Sequence, residues 1–179
     1  MIPAQRARYG KIERLVADLI AAENLGDVPP VPVEKMVRAQ GILIQKGDLD
    51  DDISGLLVRS DDGATIGVNG GHALTRRRFT IAHEFGHYLL HEGISEHVDH
   101  GYRVNFRDQE SSLARDVEEI EANFFAASLL MPKTMLDACG AIDALDSDTA
   151  VRDLAKRFQV SQHAMSLRLA NVYRRYAPF

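Results

Sequence analysis

One segment, FTIAHEFGHYLLHEG at residues 79–93, constrains this chain more than any other. It places His83 and His87 four residues apart, with Glu84 directly after the first histidine. Apolar residues at helical spacing predict a mostly buried helix from about Arg76 to Leu90. On such a helix the two imidazoles lie one turn apart and can converge on a single ion. Because buried imidazoles need polar partners, the segment predicts a metal site. The alternative is a solvated helix face that carries two histidines.

Glu84 has a different predicted role from the two histidines. It lies about 100° round the helix from His83, where its carboxylate reaches a water on the ion more easily than the ion itself. Two imidazole ligands with an adjacent carboxylate base form the H-E-x-x-H arrangement of zinc peptidases. We therefore predict His83 and His87 as metal ligands and Glu84 as the catalytic base. Gly86 costs about 1 kcal/mol relative to alanine within a helix, which indicates either close approach of another group or simple helix crowding.

A third ligand must come from outside this segment, because catalytic zinc generally has three protein ligands and one open position. A metzincin would carry glycine three residues and histidine six residues after His87. Leu90 and Gly93 stand at those positions, which excludes that class. The third ligand is therefore expected to be a carboxylate on a second helix.

The second predicted helix runs from about Leu113 to Leu130 and contains several acidic residues. Its small and apolar residues define an inner face, and Glu119 lies on that side, so we predict Glu119 as the third ligand. Glu118 and Glu121 point further round the helix, and we expect both to be solvated. Asn123, one turn after Glu119, is predicted to hydrogen-bond a ligating histidine; the alternative is an amide that only packs between helices.

A hydrogen-bond donor for the oxyanion of the transition state is also expected, but the sequence leaves its identity open. His91 lies one turn beyond His87. It is expected at the rim of the site or, more often for such a histidine, in a packing or capping position. The candidates for this donor are Tyr88, His91, His97, His100, Tyr102 and Arg103.

The remaining pattern predicts an α+β fold: a zincin-like helical domain with a small, mostly antiparallel, three-stranded sheet. The last strand, ATIGVN, is predicted either to form the sheet edge above the H-E-x-x-H helix, ready to pair with an extended substrate, or to be structural. The stretch from Glu92 to Gln109 is predicted as a loop. The other predicted elements are a helix at 12–22, a short helix at 33–41 and the strands ILIQ and ISGLLVR.

The C-terminal part of the chain is typical of a helix-turn-helix. We predict a metallopeptidase domain over residues 1–145 and a helix-turn-helix-like segment over 146–179 that packs on it. Basic residues such as Arg168 and Arg174 also allow DNA binding. An otherwise acidic surface repels phosphate, however, so a hairpin that packs on the core or docks a protein substrate is favoured.

Composition limits the number of domains, the kinds of partner and the cellular compartment that are expected. The 179 residues suit one compact domain, and the net charge of -5 argues against a surface built mainly for nucleic acid. Its one cysteine, Cys139, excludes an internal disulfide and a cysteine-built zinc site, which fits a reducing compartment. The N-terminal stretch carries charges throughout, unlike a secretory signal, and the longest apolar run, FFAASLLM, is too short to span a bilayer. We predict a cytoplasmic protein with no membrane partner.

At these residues the sequence resembles the ImmA/IrrE family of zinc metallopeptidases, which are similar to the gluzincins. The likeness extends from about Val28 to Val172, and the joint presence of the two helices is specific. It is carried by the segments VN (68–69), RRRFTIAHEFGHYLLH (76–91), EIEANFFAASLLMP (119–132) and LAKRFQVSQHAMSLRL (154–169).

The resemblance implies one Zn²⁺ per chain on His83, His87 and Glu119, with Glu84 as the catalytic acid and base. It also implies a bacterial or phage-related protein that cleaves a repressor with a helix-turn-helix domain and thereby switches on stress or mobile-element genes. Some members carry a further sensory domain that these 179 residues do not include, so regulation through it is not expected. The alternative, from another class, is a non-catalytic regulator that binds DNA or a repressor and keeps zinc only for structure. A closed four-ligand shell would favour that alternative, whereas an open shell favours hydrolysis.

Overall fold

The computed structural model describes residues 7–91, 96–99 and 109–173. Within these residues the chain has an α+β fold, as predicted, and no helix has the length and apolar character needed to cross a membrane. The elements are α1 (Tyr9–Ala22), α2 (Val33–Ala39), β1 (Leu43–Gly47), β2 (Gly55–Ser60), β3 (Gly63–Asn69), α3 (Leu74–Leu90), β4 (Glu96–Asp99), α4 (Gln109–Leu130), α5 (Lys133–Ala138), a 3₁₀ turn (Ala141–Ala144), α6 (Asp148–Phe158) and α7 (Gln162–Tyr173).

The sheet has four strands in the order β1-β3-β2-β4. Strand β2 runs antiparallel to both β3 and β4, whereas β1 pairs with β3 in parallel. The predicted count of three strands is wrong, because β4 lies in the segment from Glu92 to Gln109 that was expected to be a loop. This strand reads Glu-His-Val-Asp and has a single apolar residue, so it lacks the alternation of hydrophobic residues that identifies a strand in sequence.

Strand β3, the segment ATIGVN, occupies an interior position between β1 and β2. The prediction that it forms a sheet edge is therefore wrong, and its alternative, a structural role, agrees with its burial. Ala64, Ile66 and Val68 are buried against the helices, and both edges of the strand are already paired. Among the described residues, β1 and β4 form the edges of the sheet.

Helix α3 packs between the sheet and α4, and two glycines allow the close approach. A Cβ at Gly55 on β2 would clash with the side chain of Thr80 on α3 and would lie 2.9 Å from the carbonyl oxygen of Gly67. A Cβ at Gly86 would lie 3.0 Å from Cδ1 of Phe125 and 3.3 Å from Cα of Ala122 on α4. Helix crowding, rather than a ligand, therefore accounts for Gly86. Both contacts bring the H-E-x-x-H helix close to its neighbours.

The C-terminal helices α6 and α7 share the main hydrophobic core with α3 and α4; their apolar residues Val151, Leu154, Phe158, Met165 and Leu169 all belong to that cluster. Ser161 caps the start of α7, because its Oγ accepts a hydrogen bond from the backbone N–H of Ala164 at 3.1 Å. Arg168 is buried, and its Nε donates to the carbonyl oxygen of Met131. Its guanidinium therefore belongs to the core and not to a basic surface. Arg174 lies outside the described residues.

Candidate metal centre

Helices α3 and α4 bring the three predicted ligands together. The Nε2 atoms of His83 and His87 lie 3.1 Å apart. The carboxylate of Glu119 contacts both imidazoles, with Oε2 at 3.3 Å from His83 Nε2 and Oε1 at 3.2 Å from His87 Nε2. Both histidines are buried, whereas the Glu119 side chain is 42% exposed. Glu119 is thus the most exposed of the three predicted ligands.

These distances fit a divalent cation. A tetrahedral zinc ion with bonds of about 2.0–2.1 Å holds its ligand atoms about 3.3 Å from one another. The two imidazole Nε2 atoms are 3.1 Å apart, and each lies 3.2–3.3 Å from one of the two carboxylate oxygens of Glu119, close to that value. Two imidazoles and a carboxylate are also a ligand set that catalytic zinc sites use. The residues present therefore fit the ion that the sequence predicts.

Burial and neighbouring charges set the protonation of the ligands. Burial lowers the pKa of His87 to about 4, so this imidazole is neutral near pH 7 and its lone pair is available. Burial alone would raise the pKa of Glu119, but its close contacts with the imidazoles of His83, His87 and His97 outweigh burial and hold that pKa well below its usual range. The carboxylate is thus ionised, as a metal ligand must be.

Glu84 is fully buried beside this cluster. Its Oε2 lies 3.0 Å from Nδ1 of His97, whereas its Oε1 is buried without a hydrogen-bond partner among the described residues. Burial raises the pKa of Glu84 despite its contact with His97. A carboxylate with a raised pKa and one unpartnered oxygen is suited to take up and release a proton.

His97 on β4 completes the cluster. Its Nε2 lies 2.8 Å from Oε1 of Glu119, and its ring stacks on that of His87 with the centroids 3.8 Å apart. Burial lowers the pKa of His97, but hydrogen bonds to Glu119 and Glu84 outweigh burial and raise the pKa to about 10. Sequence reasoning included His97 only among six oxyanion donors. The only signal in the sequence was a histidine within the short polar stretch Glu96–Asp99, and such a stretch is typical of a loop.

Asn123 lies where the sequence predicts it, on the far side of His83 from the cluster. Its Oδ1 is 3.1 Å from His83 Nδ1. An amide oxygen can only accept, so His83 Nδ1 carries the proton and Nε2 presents its lone pair to the centre. Asn123 thereby fixes the tautomer that metal binding requires.

A second chain of hydrogen bonds orients His87. Its Nδ1 lies 3.0 Å from Nδ1 of His91, and Nε2 of His91 lies 3.1 Å from Oε2 of Glu121. The carboxylate can only accept, so Nε2 of His91 donates to Glu121, and Nδ1 of His91 is placed to accept from Nδ1–H of His87. The Nε2 lone pair of His87 then also faces the centre. His91 is buried within this chain and does not lie at the rim.

Glu121 was expected to be solvated, but this expectation is wrong because its side chain is buried. Its side chain is only 1% exposed, and Arg8 covers it with a backbone N–H at 2.6 Å from Oε1 and Nη2 at 2.6 Å from Oε2. Burial would raise the pKa of Glu121, but the hydrogen bonds from Arg8 and His91 lower it to about 2. The helix pattern could not reveal this, because Arg8 lies 113 residues away in sequence.

The remaining candidates divide in two groups. The ring of Tyr88 lies against Arg59, with the guanidinium carbon 4.6 Å from the ring centroid. Nη2 of Arg59 also donates hydrogen bonds to the carbonyl oxygens of His87, Tyr88 and His91. Arg59 thereby satisfies carbonyl groups at the end of α3. His100, Tyr102 and Arg103 lie outside the described residues. Glu118 is half-buried.

Comparison with known proteins identifies a family. The profile of a peptidase family described as the IrrE N-terminal-like domain matches residues 37–170. That range includes both helices of the centre and the strand that carries His97. No curated protein matches the chain.

Proposed function

The chain belongs to the IrrE N-terminal-like family of peptidases, and from that membership we propose that it is a zinc-dependent endopeptidase. The observation that carries this proposal is the convergence of His83, His87 and Glu119 within 3.1–3.3 Å of one another. Beside them, Glu84 supplies a buried carboxylate with one unpartnered oxygen. Ligands and base are the parts that metal-assisted peptide hydrolysis requires.

In this proposal His83, His87 and Glu119 hold the ion. When bound, zinc supplies Lewis-acid chemistry: it polarises a peptide carbonyl and makes water acidic enough to lose a proton near neutral pH. Glu84 accepts that proton on its carboxylate and returns it to the leaving amine. Its raised pKa suits both transfers, since a group that titrates nearer the working pH serves as base and then as acid.

One structural observation and the family resemblance bear on the substrate. Strand β4 is an edge strand beside the centre, and an extended peptide can pair with such an edge through its backbone. We propose that the substrate is a protein segment bound in this way and that, in line with the resemblance to ImmA/IrrE proteins, it belongs to a helix-turn-helix repressor. Its cleavage would relieve repression of stress or mobile-element genes.

The experiment compares zinc content with cleavage. Four proteins are compared: wild type, Glu84→Gln, His83→Ala and the surface control His163→Ala. Each is incubated with a repressor encoded beside the gene, and the fragments are identified by mass spectrometry. The zinc content of each protein is measured in parallel. Glu84→Gln should keep about one zinc per chain and lose at least about 100-fold in rate. His83→Ala should lose both, and His163→Ala neither. Wild-type rates in Glu84→Gln would refute the role of this base, and zinc-loaded wild type that cleaves no repressor would refute the substrate.

A second candidate function is a non-catalytic zinc-containing regulator that binds DNA or a repressor. One observation favours it: His97 adds a fourth donor within reach of the same centre, and closed four-ligand shells are typical of structural zinc. The position of that histidine therefore decides between a permanently closed site and one that opens.

A further inference from the structure

We propose that His97 is a fourth, displaceable ligand that closes the metal centre until strand β4 moves. This inference rests on the proposed peptidase function, because only a site that must admit water and substrate needs a ligand that leaves. A permanent fourth ligand would make the centre structural.

The distances place His97 among the ligands. One ligand atom from each of His83, His87, His97 and Glu119 can be chosen so that all four lie within 4.8 Å of one another. Nε2 of His97 is 2.8 Å from Oε1 of Glu119, so this nitrogen faces the same point as the other donors. The side chain is only 16% exposed, which removes bulk solvent as its main partner.

The other ring nitrogen supports the same role. Nδ1 of His97 lies 3.0 Å from Oε2 of Glu84 and keeps its proton there. A metal ion at the centre would replace the proton on Nε2, whose lone pair would then face the ion. A carboxylate that holds one imidazole nitrogen while the other binds metal is a recurrent arrangement in zinc sites. Glu84 therefore has two alternative partners: His97 in the closed centre and water in the open one.

The imidazole of His97 also lies where a water molecule would be needed. Its two nitrogens bridge Glu84 on one side and Glu119 on the other. Water that Glu84 deprotonates must lie between the base and the ligands. The ring and this water therefore compete for one position.

The location of His97 makes its release feasible. Strand β4 has four residues and pairs with β2 alone among the described strands. His97 is opposite the buried Leu57, whereas Glu96 and Val98 face outwards and are exposed. A peptide that pairs with the other edge of β4 would act directly on the strand that holds the ligand. Substrate binding and release of His97 are thus linked through one short element.

Zinc K-edge X-ray absorption of the zinc-loaded full chain tests the ligand assignment without reference to activity. We expect three imidazoles on zinc in the wild type and in the control His163→Ala, and two imidazoles with an added oxygen in His97→Ala. Two imidazoles in the wild type would overturn the proposal, and this measurement needs no variant to fold.

Acetohydroxamate, a small chelating probe, tests whether the position is blocked. It should bind zinc-loaded His97→Ala at least about tenfold more tightly than the wild type, because no ligand must first be displaced. Equal affinities would overturn the blocking role.

A cleavage assay distinguishes a failure of this inference from a failure of the proposed peptidase function. Zinc-loaded His97→Ala should cleave the repressor about tenfold faster than the wild type, and slower cleavage would show that His97 takes part in catalysis and would overturn the blocking role. If neither protein cleaves, yet the spectra show three and two imidazoles, the peptidase function fails while the ligand assignment holds.

Discussion

The substitution Glu121→Gln probes how the N-terminal segment supports the metal centre. Glu121 accepts hydrogen bonds from Arg8 and from His91, which in turn contacts His87. Glutamine keeps the shape of the side chain but removes the charge that Arg8 pairs with. We therefore expect a loss of stability that depends on the ionisation of Glu121.

The size of this loss follows from the pKa of Glu121, which falls from 4.5 to about 2 on folding. Each pKa unit corresponds to about 1.4 kcal/mol, so the full shift corresponds to about 3 kcal/mol. The Arg8 side chain is 42% exposed, and solvent screening reduces the expected loss to about 2 kcal/mol at pH 7. Because folding lowers this pKa, the stabilisation is present above pH 4.5 and disappears as the pH falls through about 2.

Urea unfolding measures this loss directly. Wild type and Glu121→Gln are compared at pH 7 and at pH 3 in the presence of a chelator, so that zinc does not contribute. The difference in unfolding free energy should fall to less than about half its pH 7 value at pH 3. Glu118→Gln, on the same helix but half-buried, serves as the control and should change little. An equal loss at both pH values, or no loss at pH 7, would refute the reasoning.

Two further substitutions test the surroundings of the centre. Asn123→Ala should weaken zinc binding about 10- to 100-fold because it removes the acceptor that orients His83; Asn123→Asp should keep most of the affinity, and competition with a chromophoric chelator measures both. Gly55→Ala should lower the unfolding free energy by about 2 kcal/mol because its Cβ meets Thr80 on α3. The control Gly10→Ala, whose Cβ meets nothing within 4 Å, should not destabilise the protein. Thermal melts of both variants and the wild type measure the difference.

The part of the centre that the sequence predicts is the part encoded by helical periodicity. His83 and His87 are four residues apart on α3, so their proximity follows from the geometry of one helix. Glu119 required one further step, because its face of the second helix was identified from the small and apolar residues that follow it. The structure brings these three residues together, although their role as ligands remains a prediction.

The parts that the sequence did not predict depend on contacts between distant segments. Glu121 lies on α4 two residues after Glu119, and on periodicity alone it faces away from the ligands. Only the position of Arg8, whose segment crosses this face, makes a buried carboxylate there favourable. The order of the strands has the same origin, since the apolar pattern of β3 predicts burial but does not distinguish a strand paired on one side from one paired on both.

The four donors differ in how firmly the fold holds them. His83 and His87 lie on one buried helix, and each is held through its Nδ1 atom. Asn123 on α4 contacts the first, and His91, which directly follows α3, contacts the second and is itself held by Glu121 on α4. Moving either imidazole would leave buried polar groups without partners, which costs about 1–3 kcal/mol per group. His97 instead lies on a four-residue edge strand, and on its release water can take its place beside Glu84. A centre that opens for substrate therefore opens at His97, while the two helix histidines keep the ion in place.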